Sequence, residues 1–134
     1  MDYSQKRLLI VDDDDMLRDM HVMVFEDEGY QVDSAANGLQ AWDLVNSNNY
    51  DLVATDLFMP EMNGIELTLK IQQAFPEIKI IMISGGGREL EATHKQQKVK
   101  LNEQVAEVDM FLKKPFDLDV LLSVTEKLLQ DHVS

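Results

Sequence analysis

Two kinds of segment take turns along this chain: short, largely apolar runs, and longer stretches in which apolar residues recur every three or four positions. Arg7–Val11, Leu52–Thr55, Lys79–Ser84 and Met110–Leu112 are of the first kind, and Gln31–Ala35 reads as a further short strand. Arg7–Val11, rich in branched residues, is expected to be a buried strand, and Leu52–Thr55 a strand buried on both faces. Leu17, Met20 and Val24 are of the second kind and predict a helix up to Gly29, with Asp14 or Asp15 as its N-cap or first-turn acid. After Asn37-Gly38, Leu39–Val45 places Leu39, Trp42 and Val45 on one helical face. From about Asp117, Leu118, Leu121, Leu122, Thr125, Leu128 and Leu129 line another.

Two stretches need arbitration. Ile65–Phe75 alternates like a strand at Ile65, Leu67, Leu69 and Ile71, yet Leu67, Ile71, Ala74 and Phe75 also share a helix face. Parallel strands need a crossover of about a dozen residues, usually helical, which decides for a helix ending at Pro76. Arg88–Glu107 is polar, with a sparse apolar stripe at Leu90, Leu101 and Val105, and predicts a long helix. Gly85–Gly87 before it has neither dinucleotide nor P-loop spacing and is expected to be a flexible turn.

Five strands alternating with five helices predict an α/β fold, a doubly wound five-stranded parallel sheet in one domain, residues 1–134. Right-handed crossovers favour the flavodoxin-like strand order 2-1-3-4-5. That order makes strands one and three neighbours at the switch point, where open α/β sheets bind ligands. Asp12 and Asp13 follow strand one, Asp56 ends strand three, Ser84 ends strand four and Lys114 follows strand five. The expected topology thus gathers three carboxylates, a hydroxyl and an ammonium on one edge.

Composition narrows the chemistry. The 134 residues, 45% apolar, suffice for one core. With no cysteine there is no disulfide framework and no thiolate metal site. No apolar run approaches a membrane span and the N-terminus is too polar for a signal peptide, so a soluble cytoplasmic protein is expected. A net charge of −13 argues against nucleic-acid binding. Part of that charge is local, in Asp12–Asp15, more acid than a helix start needs. His94, Lys95, Lys98 and Lys100 form the only basic cluster, either a solvated face or a docking surface for an acidic partner. His21 and His132 have no metal spacing and are expected in solvent, Trp42 is expected to pack, and the eight methionines to fill the core.

Carboxylates placed so close repel one another unless a cation is present. Hard oxygen ligands suit Mg²⁺, which keeps several waters and can bridge to a phosphoryl group. Lys114 would add a second positive charge and Ser84 a hydrogen-bond donor, the set phosphoryl transfer requires. A carboxylate can itself be the nucleophile.

At this point the chain resembles a receiver domain of bacterial two-component response regulators over nearly its whole length. The resemblance is carried by Val11-Asp12-Asp13, by Asp56 with Met59-Pro60 and Gly64, by Ser84, and by Lys114-Pro115-Phe116, each after its expected strand. It implies Asp56 as phosphoacceptor, Asp13 as direct Mg²⁺ ligand, Asp12 as ligand through water, and Asp56 with the Phe58 backbone carbonyl completing the set. It implies that Lys114 contacts the phosphoryl group, that the Lys114-Pro115 bond is cis, and that Ser84 is the switch hydroxyl. Phe111 takes the place of the switch aromatic. The implied donor is a histidine kinase or histidine phosphotransfer protein. The implied output is a downstream protein in trans, from a monomer or weak dimer that catalyses its own phosphorylation and dephosphorylation.

There are departures from the family pattern. The span from Ser84 to Lys114 is longer by roughly two helical turns' worth of residues, and Ala106-Glu107 replaces the usual Gly-Ala. Phe58 and Gly86 offer no polar help to a hydrolytic water, so slow self-dephosphorylation is expected. Two other classes compete. Asp12-Asp13-Asp14 has the Asp-x-Asp spacing of haloacid-dehalogenase-type phosphatases, but no cap domain or late acidic pair accompanies it. A phosphorylation-independent binding module would not need the complete acceptor set.

Overall fold

A computed structural model describes residues 3, 5–85, 91–92, 98–101 and 103–130. Its elements are β1 (Arg7–Val11), α1 (Asp15–Asp27), β2 (Gln31–Ala35), α2 (Gly38–Ser47), β3 (Leu52–Asp56), α3 (Gly64–Ala74) and β4 (Lys79–Ser84), followed by β5 (Glu91–Ala92), β6 (Lys98–Leu101), β7 (Gln104–Glu107), β8 (Met110–Lys113) and α4 (Leu118–Gln130). Five strands form a parallel sheet in the order β2-β1-β3-β4-β8, the predicted order with β8 as its fifth strand.

Side-chain alternation explains the apolar runs. Leu9 and Val11 of β1 and Val53 of β3 enter one core layer, whereas Leu8, Ile10, Leu52 and Ala54 enter the other. In β4, Ile80 and Met82 face the first layer and Ile81 and Ile83 the second. Both faces are covered, so both sets of side chains are apolar. The first layer also takes Ala41 and Val45 of α2 with Leu67 and Ile71 of α3, and the second takes Phe25 of α1 with Leu121 and Leu129 of α4.

The helix starts are written locally. Asp14 caps α1, its carboxylate accepting from the Met16 and Leu17 amides, and Asp15 is the first-turn acid. Asn37 caps α2. Asn63 and Glu66 form a reciprocal capping box on α3, which settles the Ile65–Phe75 ambiguity as a helix. Within the predicted faces, Leu39 and Met20 point outward, at 49% and 39% exposure, while the buried side of α1 is His21 and Phe25.

The described part of Arg88–Glu107 does not form the long helix expected there. Among the described residues this segment forms an antiparallel sheet in the order β5-β6-β7, and there are four helices rather than five. The reason is a period of two. In Lys98-Val99-Lys100-Leu101, Val99 and Leu101 are buried and Lys100 is exposed. Val99 pairs with Ala106, and both enter the first core layer with Val108. Lys98 and Lys100 pair with Glu107 and Val105 on the opposite face, and Lys98 and Glu107 form an ion pair there. The sheet packs on α3, whose Gln72 side-chain amide donates to the Glu107 carbonyl. Leu90, His94 and Lys95, also assigned to that helix, lie outside the described residues.

Candidate acidic site at the carboxyl edge of the sheet

Pairing of β1 with β3 in the register Val11↔Thr55 brings Asp12 and Asp56 to the same edge. Carboxylate oxygens of Asp12, Asp13 and Asp56 all lie within 4.8 Å of one another. Asp12 is buried and firmly held: its amide donates to the Ala35 carbonyl at 3.1 Å, and its Oδ1 accepts from the Asp14 amide at 2.9 Å. Asp13 is exposed.

Asp56 ends β3, with its side chain only 12% exposed. The Thr55 hydroxyl donates to its backbone carbonyl. The following loop folds back tightly, as the Leu57 amide donates to Ile83 and the Gly64 amide to Leu57, each at 2.8 Å. Gly64 is required there, because a Cβ on it would lie 2.4 Å from the Asp56 carbonyl oxygen and 2.9 Å from the Leu57 Cα.

Lys114 follows β8, and its amide donates to the Ser84 carbonyl at 2.7 Å. Its ammonium lies 3.5 Å from Asp56 Oδ1. The Lys114-Pro115 peptide is cis, as the family resemblance implied. Ser84 is fully buried at the end of β4, and Phe111, half-buried in β8, packs against the first core layer. Phe58 is exposed in the loop after Asp56, and Gly86 lies outside the described residues.

The electrostatics show uncompensated negative charge. Burial pushes the Asp56 carboxyl up to about 6. Lys114 draws it down, and Asp12 and Asp13 push it up. One ammonium does not neutralise three carboxylates. The donor set, three clustered carboxylates with an open side at Asp13, suits a small hard divalent cation that retains water.

His21 was expected in solvent and is instead buried. It lines a cavity of about 250 Å³ with Leu17, Met20, Lys114, Pro115 and Phe116, beside the acidic site. Burial holds its imidazole below the usual value, with Asp12 pulling up and Lys114 pushing down. Helical spacing from Leu17 to His21 to Phe25 would have found it. His132 lies outside the described residues.

A doubly wound sheet whose switch point holds three acids facing a lysine defines a phosphoacceptor of the receiver type. Comparison with known proteins agrees: residues 8–126 match the response regulator receiver domain, and the chain belongs to that family. It is 35% identical over 124 residues to sporulation initiation phosphotransferase F of Bacillus subtilis, covering 92% of this chain and 94% of that one. It is 38% identical over 82 residues to the transcriptional regulatory protein SrrA of Staphylococcus aureus, covering 61% of this chain and only 34% of SrrA. Among solved structures, the response regulator TrrA of Thermotoga maritima, in complex with Mg²⁺-BeF, superposes with a TM-score of 0.77 at 30% identity, covering 92% of this chain and 99% of TrrA. The chemotaxis protein CheY4 of Vibrio cholerae gives 0.75 at 25% identity, covering 92% and 98%. The chain is thus a phosphoacceptor response regulator of two-component signalling. Among the described residues no helix is long and apolar enough to cross a membrane.

Proposed function

We propose that Asp56 is the phosphoacceptor and that Asp12, Asp13, Asp56 and the Phe58 backbone carbonyl hold Mg²⁺. The single observation that carries this reading is the geometry of Asp56: a carboxylate at a strand end, within 4.8 Å of two other acids and 3.5 Å from one ammonium. The donor is a histidine kinase or histidine phosphotransfer protein acting in the cytoplasm. An Asp56 oxygen forms the bond to phosphorus as the phosphorus–nitrogen bond to the donor imidazole breaks. When bound, Mg²⁺ supplies neutralising charge to the phosphoryl oxygens. Lys114 adds its own charge to those oxygens.

Ser84, at the neighbouring strand end, donates its hydroxyl to the new dianion. Phe111, two strand positions from Lys113, turns inward behind it, and the shift between two packings presents a changed surface to a downstream protein. The exposed thioethers of Met16 and Met20 and the cavity beside Lys114 offer an apolar margin against which a phosphodonor can seat. The test is incubation with acetyl phosphate and Mg²⁺ followed by peptide mapping. One phosphoryl group is expected on the peptide containing Asp56, absent with EDTA and absent in Asp56→Asn. Labelling that persists in Asp56→Asn would refute the acceptor assignment.

A further inference from the structure

We infer that Arg18 is a positioning residue for the divalent-ion site, aiming the Asp13 carboxylate through the Asp12–Asp13 peptide. The inference rests on the Mg²⁺ reading proposed above. Arg18 lies in the first turns of α1, yet its side chain is only 16% exposed. It bends back over the acidic loop, where one guanidinium nitrogen donates to the Asp12 carbonyl oxygen at 2.8 Å and the other pairs with the Asp15 carboxylate.

The Asp15 contact does not explain this placement. Asp15 is 82% exposed, and exposed pairs of this kind contribute little. The carbonyl contact is the protected one. Asp12 is thereby tied at three points: its amide to Ala35, its Oδ1 to the Asp14 amide, and its carbonyl to Arg18. The third tie fixes the peptide plane that leads into Asp13, the exposed member of the acidic cluster. A carboxylate carried on a fixed peptide is preorganised for a ligand, and a loose one must be ordered at the moment of binding.

Charge makes the inference decidable by sign. A guanidinium beside a cation site repels the cation. If Arg18 acted only through its charge, a neutral residue in its place would tighten Mg²⁺ binding. If it acts by holding the peptide, the same substitution weakens binding although the protein becomes more negative.

The experiment is calorimetric titration of MgCl₂ into the unphosphorylated full chain, for wild type, Arg18→Gln and Arg18→Lys. Loss of one charge-assisted hydrogen bond predicts about tenfold weaker Mg²⁺ binding for Arg18→Gln. Arg18→Lys keeps the charge but cannot span both contacts, so it falls between, about threefold weaker than wild type. In acetyl phosphate labelling, the Mg²⁺ concentration for half-maximal rate rises by the same factors, while the plateau rate falls by less than about threefold. Wild-type or tighter binding by Arg18→Gln overturns the inference. So does a lowered plateau with unchanged Mg²⁺ dependence. If urea unfolding shows Arg18→Gln to be unfolded, Arg18→Lys decides, and wild-type affinity in that variant overturns the inference. A wild-type protein that binds no Mg²⁺ overturns the reading of the site itself, whereas wild-type binding with an indifferent Arg18 overturns this inference alone.

Discussion

The Asp56 carboxylate is an internal source of instability, and removing its charge should stabilise the protein. Burial raises its proton affinity from the ordinary 3.8 to about 6, against the pull of Lys114. Two units correspond to a ceiling of about 3 kcal/mol at about 1.4 kcal/mol per unit. Residual solvent contact screens part of this, leaving an expected cost of about 1–2 kcal/mol. The folded state holds the proton more tightly than the unfolded chain. The favourable contribution is therefore complete below the unfolded value and lost as pH rises through about 6. Asp56→Asn is neutral throughout, so in EDTA at about pH 7.5 it should be more stable than wild type by that 1–2 kcal/mol, and at about pH 5 by roughly half as much. Loss of the Lys114 contact is already contained in the net upward shift. Urea unfolding of both proteins at the two pH values, with unchanged m, measures the difference. Saturating Mg²⁺ should narrow the gap, because it stabilises wild type by mass action while the variant has lost a ligand. An Asn variant less stable than wild type at both pH values, or a gain that does not shrink with acid, would refute the reasoning.

Two further perturbations probe the same edge. Gly64→Ala places a Cβ 2.4 Å from the Asp56 carbonyl oxygen, so backbone must move, and a loss of about 1–3 kcal/mol is expected by urea unfolding together with slower labelling by acetyl phosphate. Unchanged stability would show that the loop does not approach so closely. Lys114→Met removes the leading influence that lowers the Asp56 pKa, so its midpoint in EDTA should move above about 6 in a carbon-13 NMR titration of the carboxyl carbon. A midpoint at or below the wild-type value would sink the claim that the ammonium faces Asp56.

Most of this architecture was legible because it is written locally. β1, β3 and β4 are short apolar runs that end at or just before Asp12, Asp56 and Ser84, and Asp14, one of two expected caps, does cap α1. The acidic site was legible for a second reason: strand order converts distant positions such as Asp13 and Asp56 into neighbours, and the alternation of elements allowed that order to be derived. What escaped was information carried by context. His21 is a polar residue on a buried face, and composition alone assigns such a residue to solvent. Arg18 reads as one more surface charge until its reach back to the Asp12 carbonyl is seen.

The segment between Arg88 and Glu107 failed for a different physical reason. Its residues Lys, Gln, Glu and Leu are good helix formers, and summed propensity favours a helix. Four-residue alternation around Val99 is a weaker signal, but tertiary packing rewards it, since a two-residue period puts Val99 and Ala106 on the core together while Lys98 and Lys100 stay in solvent. The substitution of a small sheet for a helix leaves the acidic edge untouched. It changes what lies behind Phe111, whose ring shares a core layer with Val99, Leu101, Ala106 and Val108. In the switch proposed for Ser84 and Phe111, an inward turn of that ring would press on the core layer that β6 and β7 share, and the Gln72–Glu107 hydrogen bond ties that small sheet to α3. A sheet transmits such a push differently from a helix. Its strands are tied sideways to one another by ladder hydrogen bonds, so displacement of Val99 must carry Ala106 and the paired face of Lys98, Lys100, Val105 and Glu107 with it.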